Sequence, residues 1–238
     1  MNYWASQTHP MSGKNKIKRF SDLLQFTNVY ESFDVDSDNV VLGPGKEQPM
    51  KGRWHKEYFK NNNPITLELA CGKGEYTVGL AKRYPKRNFI GVDIKGARIW
   101  KGATEAQEEG LDNVAFLRTR IELIHKFFEA GEIDEIWIIF PDPFLKKENR
   151  RLTSNPFLEL YKKILRPEGI VQLKTDDPTL YEFTVETWTE NKDYELLYHK
   201  DDIYSEKLFT EDLTIHTYYE GKHLAAGKTI KYVRSQWK

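Results

Sequence analysis

The chain of 238 residues contains a single cysteine, Cys71, so it can form neither an intramolecular disulfide nor a cysteine-rich zinc site. Neither charge is in excess, because 36 Lys and Arg balance 36 Asp and Glu. Any nucleic-acid site must therefore be a local patch. No apolar run is long enough to cross a bilayer, and the N-terminus lacks an apolar signal core. These absences predict a soluble cytoplasmic protein with no membrane partner. The histidines show no ligand spacing, so we expect no metal site.

Strand-length apolar segments alternate with helix-length segments from about residue 64. The predicted strands are 65–70, 88–93, 114–117, 135–140, 169–174 and 194–199, with 213–221 and 228–235 as a closing antiparallel pair. This alternation favours a mostly parallel sheet with helices on both faces. We predict one α/β domain over 51–238, preceded by a partly flexible extension at 1–50. The basic residues within 1–20 form either a nucleic-acid-binding arm or a solvated, poorly ordered tail.

Ligands of such sheets bind beyond the carboxyl ends of the strands, near the point where the strand order reverses. This rule predicts a site built from four segments. They are residues 68–74, 93–95, 118–121 and 141–146.

The most informative of these segments follows the apolar run Ile136–Phe140, which ends in Pro141-Asp142-Pro143. The prolines fix their own φ angles and favour extended backbone at Phe140 and Asp142. A basic run follows at once, comprising Lys146, Lys147, Arg150 and Arg151. A fixed acid beside a basic run indicates chemistry on an anionic substrate such as nucleic acid. The alternatives are that Asp142 only caps a turn and that the basic run is a solvated face.

A glycine turn, Gly72 to Gly74, follows the first predicted strand. It is neither a complete G-x-G-x-x-G motif nor a P-loop. Glu68, within the strand, would repel a pyrophosphate but suits a cationic ligand, such as the amino group or sulfonium of S-adenosylmethionine. Asp93 closes the second strand, where a carboxylate commonly binds ribose hydroxyls. The alternative is a plain strand-to-helix turn with surface acids.

Six motifs carry a resemblance to a known family: LELACGKGEY at 67–76, GVDIK at 91–95, FPDPFLKK at 140–147, RRLT at 150–153, LKTD at 173–176 and TYYE at 217–220. From about residue 52 to 235 the chain resembles the bacterial tRNA (guanine-N7-)-methyltransferases. The resemblance implies a Rossmann-like class I methyltransferase fold with a seven-stranded sheet. It also implies S-adenosylmethionine as cofactor, and methyl transfer to N7 of a guanosine at position 46 in the variable loop of tRNA. Relatives occur as monomers and homodimers.

The resemblance and the chemistry of the residues together assign a site. The cofactor side comprises Glu68, Gly72, Gly74, Asp93, Arg120, Ile121 and Asp142. The substrate side comprises Lys146, Arg150, Arg151, Asp176, Thr217, Tyr218, Tyr219 and Glu220. Asp142 lies where the two sides meet and is the catalytic candidate.

The chain departs from the family pattern at three places. Ala70 replaces the usual first glycine, which we expect to require a negative φ. Arg120 stands where Asp or Asn usually approaches adenine, so backbone N–H groups near Ile121 are expected to take over that contact. Phe144-Leu145 replaces Trp-Pro, and the basic loop that follows is shorter.

Guanine N7 carries a lone pair and no proton at neutral pH, so the reaction needs alignment rather than a strong base. Asp142 would stabilise the positive charge that develops on the purine. Asp176 could accept hydrogen bonds from the guanine edge or cap the next helix, and Asp177 is the preferred cap. Thr217 and Glu220 would otherwise be surface residues of an edge strand. Two other functions stay open: methylation of a small molecule, and a noncatalytic RNA-binding partner.

Overall fold

The computed structural model describes residues 13–238, with side chains from residue 17 onward. A sheet of ten strands lies between two layers of helices. The strands are β1 (Val29–Glu31), β2 (Asn39–Leu42), β3 (Glu47–Pro49), β4 (Ile65–Leu69), β5 (Asn88–Asp93), β6 (Val114–Arg118), β7 (Ile133–Ile139), β8 (Leu165–Thr175), β9 (Tyr194–Lys200) and β10 (Lys231–Trp237). The helices are α1 (Gly13–Leu23), α2 (Glu75–Arg83), α3 (Gly96–Glu108), α4 (Asn155–Tyr161), α5 (Pro178–Glu190) and α6 (Tyr218–Ala225). A π-helical turn spans Trp54–Phe59, and 3-10 turns span Ile121–Lys126, Glu148–Arg150 and Glu211–Thr214.

The strand order β3-β2-β1-β6-β5-β4-β7-β8-β10-β9 places the reversal point between β4 and β7. From β4 the chain builds the sheet outward through β5 and β6, and then continues on the other side with β7 and β8. These five strands are parallel to one another, whereas β10 runs antiparallel between β8 and β9. A crevice therefore opens beyond the carboxyl ends of β4 and β7.

The two faces of the sheet bury separate apolar clusters, as β7 illustrates. Ile136 and Ile138 face one cluster, and Trp137 and Ile139 face the other, because successive side chains of a strand point to opposite faces. The first cluster contains side chains of α4, α5 and the turn Trp54–Phe59. The second contains side chains of α1, α2 and α3, and Leu224 of α6 packs against it. Helices α2 and α6 thus cover one face, and α4 covers the other.

The predicted α/β class, with a mostly parallel sheet and C-terminal antiparallel strands, is confirmed. The predicted number of seven strands is wrong, because residues 29–49 add three more to the same sheet. Strand β1 pairs in parallel with β6, with Val29 opposite Phe116. These strands have only three or four residues each, so they are too short to show a recognisable alternation of apolar and polar residues. Their conformation depends on the neighbouring strand that they pair with.

The predicted strand at 213–221 is wrong as well. This segment holds the turn Glu211–Thr214 and the start of α6. The alternation of apolar and polar residues has another cause here. Leu213 and Ile215 both pack against the second apolar cluster, and the residue after each of them is exposed, although the segment is not a strand. Strand β10 instead forms its antiparallel pairs with β8 and β9.

The N-terminal part of the described chain lies against α3. Arg19 of α1 donates a hydrogen bond to the backbone oxygen of Ala97 over 3.3 Å, and its guanidinium lies 4.6 Å from the ring centre of Trp100. The prediction of poor order at residues 1–20 falls, for residues 1–12, outside the described residues. Across residues 13–238, no helix has both the length and the apolar character needed to cross a membrane.

Candidate functional site

A cavity of about 690 Å³ opens at the carboxyl edge of the sheet. Four chain segments that follow β4, β5, β6 and β7 line it, and α4 closes it from the first face. The lining includes Ala70, Asp93, Ile94, Lys95, Arg120, Ile121, Phe140, Asp142, Phe144, Arg150, Pro156 and Phe157. The four segments selected from the sequence therefore meet around one cavity. Its size lies within the range of about 300–1,000 Å³ that is typical of small-ligand sites.

The glycine turn is held in an unusual backbone conformation. Ala70, Gly72 and Gly74 have φ angles of 56°, 56° and 69°. The expectation of a negative φ at Ala70 is wrong, and the left-handed conformation costs about 1–2 kcal/mol there. A Cβ on Gly74 would lie 2.6 Å from the ring of Phe116, whereas one on Gly72 would meet only a backbone oxygen at 4.0 Å. Gly74 thus allows close packing, and Gly72 leaves the turn open to a ligand.

Asp93 joins the loops that follow β4 and β5. Its carboxylate accepts hydrogen bonds from the backbone N–H of Gly72 over 2.9 Å and of Lys95 over 2.7 Å. The side chain is buried and lines the cavity. Each carboxylate oxygen keeps a further lone pair for a ligand hydroxyl.

Glu68 lies behind the glycine turn and is absent from the cavity wall. Its carboxylate accepts hydrogen bonds from the backbone N–H of Thr77, over 2.7 Å, and from the Thr77 hydroxyl. Burial raises the pKa of Glu68 to about 8. The structure therefore places Glu68 as a brace for the first turn of α2.

Arg120 and Ile121 line the cavity at the end of β6. Arg120 is exposed, and its guanidinium lies 3.9 Å from the carboxylate of Glu122. Sequence reasoning missed further basic residues of this wall. They are Lys95, Arg98, His125 and Lys163. Burial, with the nearby Lys163, lowers the pKa of His125.

Asp142 presents an exposed carboxylate to the cavity, and it accepts no hydrogen bond from any residue of the described chain. The expectation of extended backbone at Phe140 is wrong, because its φ is 47°. The ring of Phe140 stacks on His223 of α6, with 5.6 Å between the ring centres. Strained backbone of this kind is common at functional sites. Asp142 is therefore free to contact a ligand, and its segment is joined to α6.

The basic loop after Asp142 divides into exposed and buried residues. Lys146 is exposed, and Arg150 lines the cavity with its guanidinium 4.9 Å from the ring centre of Phe144. Arg151, assigned to substrate binding from the sequence, is only 1% exposed. Its Nε donates to the backbone oxygen of Pro143 over 3.0 Å, and its guanidinium also bonds Glu148. Arg151 therefore shapes the loop from inside.

Asp176 and Asp177 at the end of β8 have different partners. Asp177 caps α5 by accepting a hydrogen bond from the N–H of Leu180 over 2.7 Å, which confirms the prediction for that residue. The carboxylate of Asp176 lies 2.5 Å from Nζ of Lys228 and 3.1 Å from Nδ1 of His223. Asp176 thus stands beside the helix whose His223 stacks on Phe140.

The motif at 217–220 begins helix α6 instead of an edge strand. The Thr217 hydroxyl accepts a hydrogen bond from the N–H of Glu220 over 3.1 Å. A threonine followed three residues later by glutamate is the sequence signature of a helix N-terminus, and it could have predicted this element. Tyr218 and Tyr219 are 38% and 41% exposed, so both rings are accessible.

Glu220 is fully buried and pairs with Lys174, whose side chain is also fully buried, over 2.8 Å. Its role as a surface residue or direct substrate contact is therefore corrected to an anchor of α6. Lys174 also donates to the backbone oxygens of Leu213 and Ile215, over 3.0 and 3.3 Å. Burial lowers the pKa of Lys174. Sequence reasoning missed its role, because its partners lie about forty residues away along the chain.

The chain is similar in sequence and in fold to known methyltransferases. A family model described as "Putative methyltransferase" matches residues 62–233. The fold is similar to the 16S rRNA methyltransferase KamB, with a TM-score of 0.60 and 14% identity, covering 82% of this chain and 97% of that one. A 16S rRNA (adenine(1408)-N(1))-methyltransferase from Catenulisporales acidiphilia gives 0.59 and 16%, covering 81% and 95%. The fold and the family match define a Rossmann-like methyltransferase.

Relatives at higher identity are more specific. A tRNA (guanine-N(7)-)-methyltransferase from Bacteroides thetaiotaomicron is 47% identical, over 93% of this chain and 85% of the relative. The protein of the same name from Porphyromonas gingivalis is 53% identical, over 78% of this chain and 76% of the relative. The chain belongs to the tRNA (guanine-N(7)-)-methyltransferase family.

The buried carboxyl of Glu68 predicts a pH-dependent stability. Between pH 5 and 8 the folded state keeps a proton on Glu68 that the unfolded state has lost, so the free energy of unfolding falls as the pH rises. Relative to Glu68→Gln, the wild type should lose up to about 1.4 kcal/mol per pH unit. Urea denaturation at three pH values measures this difference. The exposed Glu186→Gln is the control and should run parallel to wild type. A parallel curve for Glu68→Gln would contradict the assignment.

The Lys174–Glu220 pair predicts a large loss of stability in Lys174→Met, since one buried charge is left unpaired. We expect a loss of about 3–5 kcal/mol, measured by urea denaturation. Combining it with Glu220→Leu should recover much of the loss. Lys162→Met is the matched control, because its partners Glu159 and Asp193 are more than half exposed. It should cost less than about 1 kcal/mol. Equal effects of the two single variants would refute the anchoring role.

Proposed function

We propose that this protein transfers a methyl group from S-adenosylmethionine to N7 of a guanosine in tRNA, at position 46 of the variable loop. The observation that carries the proposal is the position of Asp142. Its free carboxylate faces the cavity that Asp93 also lines, and the neighbouring Phe140 contacts α6. A cofactor in the cavity and a base beside α6 would therefore meet at Asp142.

The residues around the cavity fit S-adenosylmethionine, which supplies a methyl group on a positively charged sulfur when bound. Asp93 keeps lone pairs suited to ribose hydroxyls. Ile94, Ile121 and Phe157 offer apolar surface for a flat adenine ring. The open backbone at Gly72 allows close approach. Asp142 places a negative charge where a cationic centre can be held.

The chain's own contribution to the reaction is alignment and charge stabilisation. Guanine N7 needs no proton removed, so Asp142 is not required as a general base. Its carboxylate faces the cavity and stabilises the positive charge that develops on the purine. Alignment of the reacting atoms can contribute up to about 7–11 kcal/mol.

The RNA side draws on different groups. Lys146 and Arg150 suit phosphate contacts, which position the RNA. Phe144, Tyr218 and Tyr219 offer rings on which a splayed base can stack, at about 1–3 kcal/mol per base. The carboxylate of Asp176 can still accept hydrogen bonds from the N1–H and N2–H donors of guanine. Adenine has no such pair of donors on that edge.

The position in the RNA is tested with paired tRNA transcripts that carry guanosine or adenosine at position 46. Purified protein and labelled S-adenosylmethionine should label only the first transcript. Equal labelling of both would show that the target lies elsewhere. Labelling of neither, with cofactor bound, would favour a noncatalytic RNA-binding partner. Cofactor turnover with small amines or acids alone would favour the small-molecule methyltransferase.

Asp142→Ala should lower the methylation rate by about 100-fold or more, because the positive charge that develops on the purine loses the carboxylate that stabilises it. Cofactor affinity, measured by calorimetry, should stay within a few-fold of wild type, because Asp93 and the glycine turn are unchanged. Asp112→Ala is the control, since Asp112 is exposed, precedes β6 at the opposite edge of the sheet and is absent from the cavity wall. Normal methylation by Asp142→Ala would make this residue structural.

A further inference from the structure

Two lysines from separate elements converge on the ring of Tyr218. Nζ of Lys73, in the glycine turn, lies 4.0 Å from the ring centre, and Nζ of Lys222, one helical turn further along α6, lies 4.7 Å from it. No carboxylate among residues 17–238 lies within 4.0 Å of either ammonium group. Glu75, two residues after Lys73, accepts a hydrogen bond from the backbone N–H of Tyr218 over 3.0 Å and lies 3.8 Å from Lys101. Glu220, two residues before Lys222, pairs with Lys174.

Lys82 and Lys101, two other lysines of this face, do have acidic partners. Lys82 of α2 lies 2.9 Å from Glu105 and 2.7 Å from Glu109. Cation–π attraction to the Tyr218 ring contributes only about 0.5–1 kcal/mol for each ammonium group at an exposed site. Because no carboxylate of the described chain lies within 4.0 Å of either group, both charges stay available to an anion. The two lysines and the exposed Tyr218 ring therefore favour a ligand that combines a negative charge with a group that stacks on the ring.

The two lysines and the basic loop lie on opposite sides of Asp142. Helices α2 and α6 cover one face of the sheet, whereas the loop with Lys146 and Arg150 leads into α4 on the other face. Asp142 lies between these two positions at the carboxyl edge. A strand of RNA that crosses this edge would meet cations on both sides of the reacting base.

We propose that Lys73 and Lys222 bind a backbone phosphate of the RNA substrate, while Tyr218 and the adjacent Tyr219 stack on a neighbouring base. This proposal rests on the proposed function and adds to it two lysines that bind a phosphate. Because Lys73 stands between Gly72 and Gly74, whose turn Asp93 holds at the cavity, the same lysine joins the RNA side to the cofactor side.

The test measures tRNA affinity of the full chain over a range of salt concentrations for Lys73→Met, Lys222→Met and the double variant. Each phosphate contact contributes about 0.7–0.9 to the slope of log affinity against log salt. The double variant should bind tRNA at least several-fold more weakly at low salt, with a slope reduced by about one contact or more. Lys73→Arg with Lys222→Arg should keep the wild-type slope.

Lys192→Met, at the opposite edge of the sheet before β9, is the matched control and should leave affinity and slope unchanged. Cofactor affinity is compared for Lys222→Met, whose side chain is exposed and lies outside the glycine turn, and it should equal that of wild type. The melting temperature of each variant is measured to show that it is folded. An unchanged salt slope in the double Met variant would overturn the inference. That outcome is distinct from failure of the proposed function, in which wild type itself binds tRNA without methylating it.

Discussion

The buried ion pair between Lys174 and Glu220 is the interaction on which the position of helix α6 depends. Both side chains are fully buried, and the pair joins the end of β8 to the first turn of α6. Lys174 also holds the connection before α6 through two backbone oxygens, and Tyr204 donates a further hydrogen bond to Glu220 over 2.6 Å. Because removal of either charge would leave the other uncompensated, the pair holds the first turn of α6 against the sheet.

With α6 held in this position, the carboxyl edge of the sheet has two distinct parts. In the proposed function, Asp93 and the glycine turn form the cofactor side, and the exposed tyrosines of α6 form the RNA side. Asp142 stands between them, in a segment flanked by the positive-φ residues Phe140 and Phe144, and Phe140 packs on His223 of α6. The sequence predicts Asp142 as an anchored catalytic group. In the structure its neighbours hold the backbone segment in place, whereas the Asp142 carboxylate itself stays free to contact a ligand. A reaction that needs alignment more than proton transfer suits this arrangement.

Local patterns predicted the central sheet and the cavity, since buried strands such as Ile136–Phe140 are plain apolar runs bounded by turn residues. Contacts between distant residues could not be predicted in this way. The strands of 29–49 exist because they pair with β6, and Arg151 is buried because Pro143 and Phe183 surround it. Helix α6 is the exception, because its threonine–glutamate signature was present in the sequence and was outweighed by a misleading alternation.

Nucleoside analysis of unmodified tRNA transcripts, after incubation with the purified protein and S-adenosylmethionine, tests the central claim most directly. The geometry around Asp142 and the family membership predict 7-methylguanosine as the methylated product, formed only when the cofactor is present. Methylation at another atom, such as 1-methyladenosine, or no methylation by a protein that binds the cofactor, would contradict this account.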